Sequence, residues 1–181
     1  MDFLSLAKTR QSVRAYRDKQ VEREKLERCI KAAAYAPSAC NAQPWSFVIV
    51  DDPELKENVA KQTYGKIAAF NKFTAQSPVL IAIVVEKDNI IAKMGGIVKK
   101  KPYYYFDTGI ACEHICLQAV EEGLGTCIIG WFNEQKIKEL LDIPNAKEIA
   151  LLLSIGYPAD TEIKPKKRKE FAEIISYNSY C

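Results

Sequence analysis

Apolar residues recur at helical spacing in several stretches of the chain. The strongest pattern predicts a helix over Glu22 to Ala36, which Pro37 ends; its apolar residues are Leu26, Cys29, Ile30, Ala33 and Ala34. A second helix is predicted over Tyr104 to Glu122, where apolar residues leave only a narrow polar stripe that begins at Asp107. Weaker patterns predict further helices over Met1 to Lys8, from Pro53 to about Thr63, over Ile67 to Gln76 and over Glu134 to Leu141.

Continuous apolar and β-branched runs predict the strands. They cover Trp45 to Val50, Val79 to Val85 and Ile149 to Ile155, with a short strand or turn over Thr126 to Ile129. Helices and strands interleave without strict alternation. This order favours an α+β sandwich, in which a mixed or antiparallel sheet packs against a long central helix, over a parallel doubly wound fold. Glu86 to Tyr103 has weak periodicity, and we expect a mobile loop there.

The composition is that of an ordinary globular protein. The 181 residues are 48% hydrophobic and 27% charged, and without internal repeats they predict a single domain over 1–181. No apolar run approaches the ~20 residues that a membrane span needs, and the start does not resemble a signal peptide. We therefore expect a cytoplasmic protein with reduced cysteines that does not bind membranes. The net charge of +3 is too small for general nucleic-acid binding.

Several common chemistries are absent from the sequence. His114 is the single histidine, and each of its neighbours Cys112 and Cys116 lies two residues from it, so on a helix they would project away from the histidine and a shared metal ion is disfavoured. A satisfied or partly exposed helical histidine is favoured instead. Gly123 and Gly125 follow a helix and enter a strand, the reverse of the dinucleotide-binding order. Gly65-Lys66 lacks the hydroxyl residue of a phosphate loop.

Arg10, Ser12 and Arg14 alternate along the chain. In an extended segment, residues two apart share a face, so these side chains would form a receptor for a phosphate dianion. A solvated arginine pair is the alternative. A second candidate feature is the loop from Ala36 to Trp45, where two prolines bracket Ser38, Asn41 and Gln43. A basic segment, Lys164 to Lys169, follows near the end; its composition resembles a nuclear-import or nucleic-acid patch, and a solvated tail is the alternative.

These motifs, taken in order, resemble those of the nitroreductase family of flavoproteins. The shared features are Arg-x-Ser-x-Arg near the start, Pro-Ser-x-x-Asn-x-Gln-Pro-Trp after the first long helix, Gly-Leu-Gly-Thr-x-x-x-Gly after the central helix, and the basic C-terminal stretch. The resemblance implies an intertwined α-β-α homodimer with two FMN sites, each built at the interface by both subunits.

The resemblance also assigns roles to residues. Arg10, Ser12 and Arg14 would hold the FMN phosphate, ribityl chain and ring edge, and Lys166 and Arg168 would return to the phosphate. The remaining residues would contact the flavin ring: from the other subunit Pro37, Ser38 and Asn41, and at the end of the short strand Ile128, Ile129 and Gly130. Arg14 is the candidate for electrostatic stabilisation of the reduced ring, and no side chain is expected to act as a nucleophile.

The implied reaction is ping-pong hydride transfer from NAD(P)H through the flavin N5 to a nitroaromatic, a quinone or another small conjugated acceptor. Other branches of the superfamily remain open, including dehalogenation, flavin fragmentation and a flavin carrier or sensor. A nucleic-acid module that uses the C-terminal tail and Lys99 to Lys101 is a further alternative, which the net charge disfavours.

Overall fold

The computed structural model describes residues 1–65, 69–86 and 102–180. The helices are α1 Phe3–Thr9, α2 Arg23–Ala34, α3 Pro53–Ala60, α4 Tyr103–Glu121 and α5 Glu134–Leu140, and the strands are β1 Trp45–Val50, β2 Val79–Val85, β3 Gly125–Ile129 and β4 Glu148–Gly156. Short 3₁₀ segments cover Ala39–Asn41, Lys61–Thr63, Ala69–Gln76 and Phe171–Glu173. The predicted loop over Glu86 to Tyr103 and the basic run Lys99 to Lys101 fall mainly or wholly on residues 87–101, outside the described part.

The four strands form one antiparallel sheet in the order β1-β2-β4-β3. This confirms the antiparallel alternative and shows that the parallel doubly wound alternative is wrong. Neither face of the sheet is open to solvent at its centre, because β2 is buried along its whole length and is covered on both sides. Each fully buried Leu or Ile contributes roughly 1.5–3 kcal/mol to folding, so these strands supply much of the core.

Helices cover both faces of the sheet. On one face α2 and α4 pack against Ile81, Ile83 and Leu153, and on the other face α3 and α5 pack against Leu80 and Leu152. The α-β-α sandwich around a long central helix is therefore confirmed. Among the described residues, no helix combines the length and the apolar character that a membrane crossing requires.

Local side-chain chemistry sets the helix boundaries. The Asp52 carboxylate accepts from the Leu55 N–H at 2.8 Å and starts α3, and Gly123, with φ of 72°, ends α4. The helix predicted to reach Thr63 changes to a 3₁₀ turn after Ala60, where the Thr63 hydroxyl donates to the Ala60 carbonyl at 2.8 Å. The α-helix predicted from Ile67 is wrong over Ala69–Gln76, which is 3₁₀.

The N-terminal segment runs along the outer edge of β3. Ser12 and Thr126 form a parallel bridge, and the Val13 N–H donates to the Thr126 carbonyl at 2.8 Å. Gly125 permits this close approach, since a methyl group there would lie 2.5 Å from Val13 Cγ2. The extended conformation that the shared face of Arg10, Ser12 and Arg14 requires is thus present at Ser12 and Val13.

Candidate functional site

The extended segment presents two of its predicted ligands on one exposed face. Ser12 and Arg14 are exposed, whereas Val13 between them turns toward Gly125 and the core. Arg10 is half-buried at the start of the segment. Tyr16 anchors its end, because its buried hydroxyl lies 2.8 Å from Ser154 Oγ and donates to the Val13 carbonyl at 2.9 Å.

The C-terminal segment folds back onto this N-terminal segment. Gln11 donates through Nε2 to the Glu162 carbonyl at 2.9 Å, and its Oε1 accepts from the Lys164 N–H at 3.4 Å. Lys166 Nζ then donates to the carbonyl oxygen of Ala7, in the last turn of α1, at 2.9 Å. The structure therefore brings the two remote ends of the chain together.

Arg10, Lys166 and Arg168 form a cluster of positive charge. Partial burial and the nearby Arg10 and Arg168 guanidiniums lower the pKa of Lys166. Glu113 on α4 is the carboxylate of the cluster, with Oε1 3.5 Å from Arg10 Nε. This ion pair lacks hydrogen-bond geometry, so Arg10 Nε is buried without a hydrogen-bond partner among the described residues. Such an orphaned donor among three cations fits an anionic oxygen ligand.

Arg14 lies beside a segment that the sequence patterns did not single out. Its guanidinium carbon is 5.9 Å from the centre of the Phe73 ring. Buried Asn71, two residues earlier, donates through Nδ2 to the carbonyls of Thr63 at 3.1 Å and Trp131 at 3.2 Å. This bond ties the 3₁₀ segment to the loop after β3. The sequence offers only a weak signal for these contacts, namely Phe73 and Asn71 in a stretch of weak apolar periodicity.

A cavity of about 340 Å³ opens along the N-terminal segment. Residues of both chain ends line it: Gln11, Ser12, Val13, Arg14, Ala15, Asp160, Glu162 and Lys164. Its volume lies at the lower end of the range for small-molecule sites.

The loop predicted from Ala36 to Trp45 lies between α2 and β1, apart from both chain ends; its residues 37–43 are called the Pro37–Gln43 loop. Ser38 is half-buried, and Pro37 and Asn41 are exposed. The loop contacts α4, where the Ala39 N–H donates to Asp107 Oδ2 at 3.1 Å. Within the described residues, no hydrogen bond or ion pair joins this loop to the cation cluster or to Arg14.

The end of β3 offers one exposed apolar side chain. Ile128 is 40% exposed and Gly130 is exposed, whereas the Ile129 side chain is buried in the core. Ile129 can therefore contribute only backbone atoms to a ligand on this side. β3 lies beside the N-terminal segment and is bridged to it at Thr126, so the residues at the end of β3 lie on the same edge of the sheet as Ser12.

Four of the described cysteines, Cys29, Cys112, Cys116 and Cys127, are buried in the packing, whereas Cys40 is exposed. The described cysteines are all free, and burial raises the pKa of Cys29 to about 12, which makes it a poor nucleophile. His114 Nδ1 lies 3.2 Å from the Ala32 carbonyl oxygen, the satisfied helical environment predicted for it. No group of residues that could ligate a metal ion occurs in the described part of the chain.

Comparisons with known proteins agree on one family. The model of the nitroreductase family matches residues 7–157. An Archaeoglobus fulgidus protein with the provisional name NADH dehydrogenase/NAD(P)H nitroreductase is 33% identical over 166 residues, covering 88% of this chain and 87% of its own. The iodotyrosine deiodinase of Thermotoga neapolitana is 28% identical, with 97% of each chain covered. The structure of an FMN-dependent nitroreductase from Clostridium difficile R20291 superposes with a TM-score of 0.76 at 29% identity, covering 98% of this chain and all of that one.

Proposed function

The chain belongs to the nitroreductase family, and from that premise we propose that it is an FMN-dependent oxidoreductase. It would use NAD(P)H to reduce nitroaromatics, quinones or another small conjugated acceptor. The observation that carries this proposal is the meeting of Arg10, Lys166 and Arg168, which are remote in sequence and together suit a phosphate dianion. The names of the Archaeoglobus and Clostridium relatives support the electron donor and the cofactor.

The FMN, when bound, supplies hydride acceptance and donation at its N5, and the protein supplies position and charge. Arg10, Lys166 and Arg168 would bind the phosphate, with Ser12 as a hydroxyl donor on the same side. Arg14 would place a positive charge beside the ring, where negative charge develops on reduction. Its exposed position beside Phe73 leaves the guanidinium free to approach a flat ligand.

The end of β3 would form part of the surface under the flavin ring. Ile128 offers an exposed apolar side chain, and Ile129 and Gly130 offer backbone groups. Pro37, Ser38 and Asn41 would contact the flavin of the other subunit, since the loop that carries them is directed to α4 rather than to the chain's own cation cluster.

A homodimer would complete the site. Large apolar side chains are exposed on α1, on α4 and at regular spacing in the C-terminal segment: Phe3, Leu4, Phe106, Ile110, Phe171, Ile174, Tyr177 and Tyr180. Because α1 contacts α4, their exposed side chains can form a common apolar surface, which is typical of protein interfaces. We propose that a second copy covers it and that two FMN sites lie at the interface.

Titration of the apoprotein with FMN and with riboflavin tests the phosphate site. The wild type is expected to prefer FMN, because riboflavin lacks the phosphate that the cations would bind. Arg10→Ala should weaken FMN binding about 10- to 150-fold and leave riboflavin binding unchanged, since charge-assisted hydrogen bonds contribute about 1.5–3 kcal/mol. Equal affinity of the wild type for both ligands would argue against the proposed site. Arg23→Ala, which removes an exposed arginine paired with Asp51, is the matched control.

Anaerobic addition of NADH or NADPH to the holoprotein then tests turnover. An enzyme loses its yellow colour with the donor and regains it with a nitroaromatic or quinone. A flavin carrier or sensor would stay oxidised.

The deiodinase relatives favour a second candidate, reductive dehalogenation of an aromatic ring. Release of iodide from iodotyrosine by the reduced holoprotein would support it. Reduction of nitroaromatics without iodide release would support the first candidate.

A further inference from the structure

The Pro37–Gln43 loop has an unusual backbone. Cys40, Asn41 and Gln43 have φ values of 52°, 51° and 49°, in the left-handed region that glycine favours. Side chains rarely adopt this conformation, and it persists only where surrounding contacts enforce it. Three such residues within four positions require specific restraints.

Two hydrogen bonds that involve side chains restrain the loop from within. Ser38 Oγ accepts a hydrogen bond from the Gln43 N–H at 2.9 Å, and Gln43 Nε2 donates to Asn41 Oδ1 at 3.2 Å. These bonds close the loop on itself. They do not fix its position relative to the rest of the molecule.

Asp107 of α4 provides a restraint from outside the loop. Its Oδ2 accepts from the Ala39 N–H at 3.1 Å, and the residue is only 6% exposed. A hydrogen bond from a backbone N–H to a carboxylate is about twice as strong as a neutral one and is directional. Ala39 lies directly after Ser38 and two residues before Asn41, so this bond fixes the backbone between them.

The sequence pattern placed Asp107 on a polar stripe of the central helix, but the residue is buried. A buried carboxylate is costly unless hydrogen bonds compensate it. If the Asp107 carboxylate served only to accept hydrogen bonds within its own helix or the core, it would not need a partner in the strained loop. Its partner is instead the backbone that orients two of the residues proposed to contact a flavin.

We propose that Asp107 is a positioning residue that fixes Ser38 and Asn41 for the flavin of the partner subunit. This inference rests on the proposed function. It assigns to the central helix the task of presenting the loop across the interface.

Four variants test the proposal by fluorescence titration of FMN. Asp107→Ala removes the acceptor, and Ala39→Pro removes the N–H donor. Proline suits position 39 because Ser38 is extended (φ −145°, ψ 153°) and residue 39 begins a 3₁₀ turn. Both variants should raise the FMN dissociation constant about tenfold. Asp107→Asn, which keeps the acceptor oxygen, should stay within about threefold, and Glu121→Ala, which removes an exposed carboxylate elsewhere on α4, should have no effect.

Hydrogen exchange in the apoprotein gives a readout that does not depend on bound flavin. In Asp107→Ala, the amides of Ala39 and Gln43 should lose protection while those of β2 keep theirs. Unchanged exchange and unchanged FMN affinity in that variant would overturn the proposal. If Asp107→Ala does not fold, Ala39→Pro decides the matter through FMN affinity alone.

Mixed dimers test whether the loop acts across the interface. A dimer of one Asp107→Ala chain and one Arg14→Ala chain contains one site with both changes and one site with neither, provided that Arg14 acts within its own subunit and the loop acts on the partner's flavin. One FMN should therefore bind per mixed dimer with wild-type affinity. If the loop served its own subunit, each site would carry one defect, and the absence of a wild-type site would overturn the proposal.

Failure of the proposed function has a different signature. A wild-type protein that takes up no FMN would reject the cofactor itself. A wild type that binds FMN and an Asp107→Ala variant that binds it equally well would reject only the role of Asp107.

Discussion

Lys166 Nζ donates a hydrogen bond of 2.9 Å to the carbonyl oxygen of Ala7, 159 residues earlier in the chain. A lysine at the C-terminal end of a helix is favourable, because the carbonyl groups there carry partial negative charge. The same side chain lies near Arg10 and Arg168. The three cations of the cluster therefore all come from one subunit.

Replacing Arg14 by alanine should weaken FMN binding by about 1.5–3 kcal/mol, roughly 10- to 150-fold, if the guanidinium makes a charge-assisted hydrogen bond to the flavin. Folding stability should change little, since Arg14 is exposed. Fluorescence titration of the apoprotein and urea unfolding measure the two effects. An unchanged dissociation constant would refute the assignment of Arg14.

Gly125→Ala should displace the N-terminal segment from β3. The new methyl group would lie 2.5 Å from Val13 Cγ2, and overpacking of this kind costs about 1–3 kcal/mol. Denaturant unfolding should show that loss, and FMN affinity should fall with it. Adding Val13→Ala should restore part of the stability, because it removes both crowded γ carbons. Gly65→Ala is the control and should be nearly neutral, because an added Cβ would meet no described atom within 4 Å apart from its chain neighbours.

Phe106→Glu should convert the proposed dimer to a monomer. Phe106 is 60% exposed on α4, and burying a charge there against a second copy would be costly. Light scattering should give twice the 20.4 kDa chain mass for the wild type and the mass of one chain for the variant. The variant should also lose its bound FMN. A charge change on α5, Lys136→Ala, should leave the mass at twice that of the chain. A wild type that is monomeric at micromolar concentration would contradict the proposed interface.

Glu122 should make stability depend on acid pH. Arg28 donates to both of its carboxylate oxygens at 2.7 Å, and these bonds lower the pKa of Glu122 to about 2 from an ordinary 4.5. Because the folded pKa is the lower one, the contribution is present above pH 4.5 and is lost as the pH falls toward 2. Arg28 is half-exposed, so the contribution is at most about 1 kcal/mol.

Urea unfolding at pH 7, 4.5 and 3 measures this dependence. Glu122→Gln should be less stable than the wild type at pH 7, and the difference should shrink at pH 3. Arg28→Ala should show the same convergence, because it removes the other partner of the pair. A constant difference at all three pH values would show that the pair does not act through this titration.

Among the described strands, patterns of apolar residues predicted β1, β2 and β4 to within one residue at each end, because buried strands need long runs of β-branched side chains, and they predicted a short strand or turn where β3 lies. The period of two in Arg10, Ser12 and Arg14 would place these side chains on one face of an extended segment, and the bridge between Ser12 and Thr126 shows that the backbone is extended there. The ordered motifs predicted the family, which the comparisons confirm. Features that depend only on the spacing of residues close together in the chain could thus be predicted from the sequence.

Contacts between remote elements were not accessible. Nothing near Asp107 in the sequence indicates that Ala39 is its partner, since the bond forms only when α4 packs beside the loop. The left-handed backbone of Cys40 and Asn41 was also hidden, because neither is glycine. The 3₁₀ conformation of Ala69–Gln76 depends in part on Thr74, whose hydroxyl donates to the Asn71 carbonyl at 2.9 Å. The flavin contacts predicted from the family motifs stay predictions.

The position of the N-terminal segment on β3 also bears on solubility. A bare strand edge offers unpaired N–H and C=O groups to any other extended chain and promotes aggregation. Val13 occupies part of the outer edge of β3 through its bond to Thr126. Proteolytic removal of residues 1–14 should therefore cause self-association even in buffer without flavin. The segment would then protect the strand edge from misassembly in addition to its proposed role in FMN binding.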